Sequence, residues 1–130
     1  MPSPFSDLRI LVVEDEYAIA ASLGDALEIL GAAVVGPAPS VEKALRTIES
    51  ESPIDAAIVD VNLGGEMAHA VADRLLARNI PFVFTSGYEN DALRNLYPQI
   101  KNCQKPYAVE EIEEALASAM SEASHRTNPA

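Results

Sequence analysis

A three-layer α/β fold, with a parallel sheet covered by helices on both faces, is the architecture this sequence predicts. The first observation behind it is alternation: short apolar runs alternate five times with apolar residues at helical spacing. Parallel neighbours need crossover connections, and right-handed crossovers place helices on both faces of the sheet. The second is length, because 130 residues suffice for one domain with a proper core and are too few for two. No internal repeat or low-complexity linker interrupts the chain.

The first strand is "LRILVV" (8–13), rich in β-branched residues and stopped by the acids "EDE". A helix follows on Ile19, Leu23, Ala26, Leu27 and Leu30, with Gly31 placed as a left-handed C-terminal cap. "AAVVG" reads as the second strand, closed by the prolines of "GPAPS". Ser40 then caps a helix carrying Val41, Ala44, Leu45 and Ile48 on one face. "SPIDAAIVD" is a turn and a third strand, ending on Asp60. The third helix buries Val71, Ala72, Leu75 and Leu76 and ends near Asn79.

"IPFVFTSG" is the fourth strand. A weak fourth helix over about 89–97 has Leu93 and Leu96 as its apolar pair and ends at Pro98. "IKNCQ" is a poor strand by composition, and Pro106 behind it suits the first position of a helix. The last helix carries Val109, Ile112, Leu116 and Ala119. Residues 1–123 thus read as one domain, and 124–130, polar and without periodicity, as a frayed tail with no further domain.

Composition removes several function classes. Nine basic against 20 acidic residues leave a formal charge of −11, which repels phosphate backbones and anionic lipid heads. Neither nucleic acid nor a membrane is therefore an expected partner. No apolar stretch approaches the roughly 20 residues of a membrane span, and "MPSPFSDLR" lacks the apolar core of a secretory signal, so a cytoplasmic location is expected. Cys103 is the only cysteine, which rules out an internal disulfide, and His69 and His125 are too few and too far apart for a zinc cluster.

Ligands of open parallel sheets bind beyond the carboxyl ends of the strands. Glu14 and Asp15 follow strand one, Asp60 ends strand three, Thr85 and Ser86 end strand four, and Lys105 ends strand five. Each has an ordinary reading: acids complementing a helix amino end, a Ser-Gly turn, a solvated lysine. Their shared edge argues for one site. Two unit charges about 4 Å apart repel by roughly 4 kcal/mol at an effective dielectric near 20, so three ionised carboxylates in one pocket call for a cation. Magnesium fits, preferring oxygen ligands and keeping several waters, with Asp15 and Asp60 as side-chain candidates. Lys105 and the Ser86 hydroxyl suit phosphoryl oxygens, and Asp60 is placed to be the nucleophile of a phosphoryl transfer.

The segments "VVEDE" (12–16), "IVDVNLGG" (58–65), "FVFTSGY" (82–88) and "KPY" (105–107) together resemble the receiver domain of bacterial two-component response regulators, over nearly the whole chain. The resemblance implies a flavodoxin-like sheet of five parallel strands in the order 2-1-3-4-5. It implies Asp60 as phosphoacceptor, Glu14 and Asp15 as the acidic pair, and the Asn62 main-chain carbonyl joining Asp15 and Asp60 around Mg²⁺. Lys105 is then the receiver lysine before a cis Pro106. Ser86, directly before Gly87, takes the switch position in preference to Thr85, which strand alternation points the other way. The donor is a sensor histidine kinase or a histidine phosphotransfer protein.

Three departures qualify the match. Gly64 stands where the family often has proline, and Asn102, three before the lysine, replaces the usual Tyr or Phe. "FTSGY" resembles the "FATGY" variant of alphaproteobacterial stress-signalling receivers, which makes Tyr88 a candidate to share the readout. The leading expectation is a stand-alone receiver that signals through phosphorylation-dependent protein contacts, on the face of its fourth helix, fifth strand and fifth helix, or serves as a phosphorelay or phosphate-sink component. A haloacid-dehalogenase-like phosphatase is the enzymatic alternative, but it wants an acid where Asn62 stands. A nucleotide-binding module lacks its Gly-rich loop after strand one. A pseudo-receiver that binds partners unphosphorylated is the remaining alternative.

Overall fold

The computed structural model describes residues 3–51, 53–87 and 95–127. Five parallel strands form the main sheet: β1 (Arg9–Val13), β2 (Ala33–Ala38), β3 (Ala56–Asp60), β6 (Phe82–Ser86) and β7 (Asn102–Gln104). Between β3 and β6 lies a small antiparallel hairpin, β4 (Asn62–Leu63) and β5 (Glu66–Met67), which belongs to no larger sheet. The helices lying wholly within the described residues are α1 (Tyr17–Ile29), α2 (Val41–Ser50), α3 (His69–Ala77) and α4 (Val109–Thr127). The sheet runs β2-β1-β3-β6-β7, which is the expected 2-1-3-4-5 once the hairpin is set aside.

Two core layers follow from the strand pleat, since successive side chains point to opposite faces. Leu11, Val13, Ala57, Val59, Phe82 and Phe84 face α2 and α3, where Ala44, Ile48, Val71 and Leu75 meet them. Ile10, Val12, Ile58 and Val83 face α1 and α4, against Leu23, Leu27, Ile112 and Leu116. Every residue of β3 is buried, as a central strand covered on both sides requires. Phe5, in a stretch without periodicity, joins the second layer at 1% exposure.

Several boundaries differ from the sequence reading. β2 does not stop at Gly36 but continues through Pro37 to Ala38, and its place at the sheet edge makes the missing proline N–H tolerable. Pro106 is not the first helical residue, because α4 starts at Val109. Ala108 N–H donates to Glu111 Oε1 at 3.2 Å, the return half of a capping box, and that sets the start. The tail is helical through Thr127, since nothing before Pro129 breaks a helix already propagating. Leu96 is exposed, and Tyr97 is buried in its stead. Most of the span 89–97, expected as a weak helix, lies outside the described residues, with Leu93 and the preceding Tyr88.

Tyr97 packs edge-on against Phe84, ring centroids 5.8 Å apart, and its hydroxyl donates to Asp73 Oδ1 on α3 at 2.6 Å. Burial, and then this bond, push the phenol up to about 12. Tyr97→Phe is expected to cost about 1–2 kcal/mol in urea denaturation, the worth of one hydrogen bond to a charged acceptor. Gly36 is the other sensitive point: its φ is +93°, and an added Cβ would lie 2.8 Å from Ala38 N and 3.1 Å from Val12 O. Because both are backbone atoms, Gly36→Ala is expected to lower stability by about 1–3 kcal/mol. A denaturation midpoint equal to wild type would contradict it.

Candidate functional site

The carboxyl ends of β1, β3, β6 and β7 bring the acidic and basic residues to one edge. Asp60 is the last residue of β3 and only 4% exposed, with β1 and β6 hydrogen-bonded on either side of its strand. Burying a carboxylate there is costly unless it is paired. Lys105, directly after β7, supplies the pairing: its Nζ donates to Asp60 Oδ2 at 2.8 Å and lies 3.0 Å from Glu14 Oε1. The other Asp60 oxygen, Oδ1, accepts the Asn62 N–H at 3.0 Å. Glu14 is 3% exposed, and its Oε2 accepts the Glu16 N–H at 3.1 Å.

Charge is not balanced by this lysine. Glu14, Asp15 and Asp60 each place a carboxylate oxygen within 4.8 Å of the others. Burial first, and then the hydrogen bond with Asp60, push Glu14 up to about 7, against the lowering influence of the Glu16 N–H and Lys105. Burial works to lower the Lys105 ammonium, but hydrogen bonds to Asp60 and Glu14 outweigh it and hold the group raised. A set of oxygen donors with surplus negative charge is what a hard divalent cation prefers, so the residues present fit magnesium. Asp15, exposed, and Asp60 face a cavity of about 260 Å³ that Asn62, Gly64, Gly65, Gly87 and Lys105 also line.

The two adjacent hydroxyls separate as the pleat demands. Thr85, 1% exposed, pairs in register with Asp60, whereas Ser86, fully buried, alternates onto the Phe84 face. Ser86 Oγ has no hydrogen-bond partner among the described residues. Its carbonyl accepts the Lys105 N–H at 2.7 Å, which ties β6 to the lysine. The Lys105–Pro106 peptide is cis, as expected. Asn102 pairs with Phe84 at the sheet edge, and its Oδ1 is buried without a partner among the described residues. Tyr88 lies outside the described residues.

Two neighbours of the site were not assigned from sequence. Glu16 lines the cavity and comes to 3.9 Å from Lys105 Nζ; the "EDE" run was the only signal for it. Tyr107 has a buried hydroxyl without a partner among the described residues, pushed up to about 12 by burial and by the Glu14 charge. Its place in "KPY" marked the segment, and nothing in the sequence marked the hydroxyl. The lone Cys103 is buried and its thiol is raised by burial, which keeps it out of the chemistry.

Comparison with solved structures finds the same arrangement of elements. The chain is 42% identical to SdrG from Sphingomonas melonis Fr1, with a TM-score of 0.78 over 88% of this chain and 97% of that one. It is 44% identical to the BeF3-activated conformation of SdrG from Pseudomonas melonis Fr1, with a TM-score of 0.72 over 88% of this chain and 98% of that one. The PhyR receiver domain of Erythrobacter litoralis, at 22% identity, shares the fold with a TM-score of 0.77, over 89% of this chain and 92% of that one. No curated protein matches. The response regulator receiver domain family matches residues 10–117, and with that match over most of its length the chain belongs to the receiver domains of two-component signalling.

Proposed function

We propose that this receiver accepts a phosphoryl group from a phosphohistidine onto Asp60 and signals through the contacts its own surface makes. The observation that carries the reading is the buried Asp60 carboxylate, held by Lys105 at 2.8 Å inside a cluster of three acids. A carboxylate so placed is a nucleophile whose alignment is fixed on both oxygens. In the transfer, an Asp60 oxygen forms the new bond to phosphorus, the N–P bond of the donor breaks, and the donor imidazole keeps the electron pair. Lys105 remains within reach to hydrogen-bond a phosphoryl oxygen, and the Ser86 hydroxyl, without a partner among the described residues, is a donor available to another. Asp15, Asp60 and the Asn62 carbonyl, with Glu14 beside them, would hold magnesium, which supplies charge neutralisation to the phosphoryl oxygens.

Ser86 is the switch in this reading. Drawing its hydroxyl to the phosphoryl group moves the end of β6, and with it the surface that partners see. Thr85, paired in register with Asp60, is not assigned the switch role. The 44%-identical SdrG has a BeF3-activated conformation, which supports a phosphoryl-driven change here. The donor is a sensor histidine kinase or a histidine phosphotransfer protein, the downstream partner is a protein, and the setting is the cytoplasm. No helix among the described residues is long and apolar enough to cross a membrane. Turnover as a phosphatase is disfavoured by Asn62 in place of a second acid, and its amide already serves the hairpin by accepting the Gly65 N–H.

Incubation with acetyl phosphate and MgCl₂, read by intact mass, tests the reading. Wild type is expected to gain one phosphoryl group and Asp60→Asn none. Continuous hydrolysis of varied phosphate esters would move the protein to the phosphatases, and no adduct under any condition would make it a pseudo-receiver.

A further inference from the structure

We propose that the Asn62 side chain is a positioning group for the metal pocket, closing the β4–β5 turn so that residues 62 and 64 are set against the two aspartates. The inference rests on the phosphoacceptor reading and adds to it a side chain that need touch neither metal nor phosphoryl group.

Asn62 is bonded twice. Its main-chain N–H donates to Asp60 Oδ1 at 3.0 Å, and its side-chain Oδ1 accepts the Gly65 N–H at 2.7 Å. The hairpin between these bonds has only two residue pairs, Asn62 with Met67 and Leu63 with Glu66. Such a short hairpin has little stability of its own. Its base is secured by buried Leu63 and by the Ala68 N–H donating to Val61 O at 3.0 Å. The exposed end, with Gly64 and Gly65 at φ +62° and +95°, has no such anchor among the described residues, and there the Asn62 amide adds a link across the turn.

The turn matters because of where its tip sits. A Cβ on Gly64 would lie 3.8 Å from Asp15 Oδ2, so the tip borders one aspartate while the Asn62 main chain borders the other. One side-chain bond thus governs two walls of the cavity. An amide does this without adding charge beside Glu14, Asp15 and Asp60. A carboxylate would make the same bond and bring a further negative charge.

The test compares wild type, Asn62→Ala and Asn62→Asp in two measurements: Gly65 amide exchange in metal-free protein by NMR, and magnesium affinity by titration calorimetry. Asn62→Ala is expected to speed Gly65 exchange and to weaken magnesium binding by roughly five-fold, the equivalent of one lost hydrogen bond, with little change in the denaturation midpoint. Asn62→Asp, which can still accept from Gly65, is expected to return the exchange to its slow rate. Unchanged exchange in Asn62→Ala, or wild-type magnesium affinity despite faster exchange, overturns the positioning role and leaves the Asp60 reading intact. A wild-type protein that takes up no magnesium overturns both.

Discussion

Lys105→Ala is expected to cost about 2–4 kcal/mol of stability in metal-free buffer at neutral pH, and to slow phosphoryl adduct formation by about 10²-fold. Removing the ammonium strands two carboxylates that are 5% and 2% exposed at their side chains, with their mutual repulsion unopposed. Removal of one partner from a fully buried ion pair costs about 3–5 kcal/mol, and the 18% exposure of the Lys105 side chain lowers the figure. Magnesium is expected to restore part of the loss, since a ligand at a hundred times its dissociation constant stabilises by about 2.7 kcal/mol. Urea titrations in EDTA and in MgCl₂ measure both numbers. A variant as stable as wild type in EDTA would mean that the lysine does not offset these charges.

The second large effect is a dependence on pH that belongs to Glu14. Its carboxyl titrates at about 7 in the fold and at 4.5 as a free side chain, so between those values the native protein binds the extra proton. Stability that Glu14 contributes is therefore complete below pH 4.5 and lost as pH rises through 7. Each tenfold difference in proton affinity between the folded and unfolded chain is worth about 1.4 kcal/mol, so the loss in EDTA is expected to reach about 3 kcal/mol. Glu14→Gln mimics the protonated acid and is expected to remove that part of the slope. The variant then exceeds wild type in stability above pH 7, and the difference vanishes below 4.5. Magnesium, by favouring the ionised form, is expected to flatten the wild-type curve and to leave the glutamine curve less altered. Equal slopes for the two proteins would assign the pH dependence to other groups.

The two predictions draw on different sources. Lys105 was legible as a site residue because its position after the fifth strand, before a proline, follows from the order of elements alone. That its ammonium touches both Glu14 and Asp60 was not, since the contacts join residues 91 and 45 positions away. The same distinction separates the two hydroxyls of "TSG". Alternation within one strand sorts Thr85 from Ser86, a local rule, whereas the lack of a partner for Ser86 among the described residues depends on how distant elements pack around it. Glu14 illustrates the limit most sharply. A glutamate beside an aspartate reads as an ordinary acidic pair, and only the closed sheet edge shows one of them buried and the other exposed.

By itself the sequence determined the layered sheet, the order of its elements and the edge on which Asp15, Asp60, Ser86 and Lys105 gather, because pattern and strand polarity are local or topological properties of a chain. The tertiary structure alone decided that Tyr97 rather than Leu96 enters the core, that Phe5 closes the far layer, and that Asn62 clasps Gly65. It also decided how far burial moves Glu14. Packing and desolvation are set jointly by residues far apart in the chain, and periodicity carries no record of how closely those residues will meet.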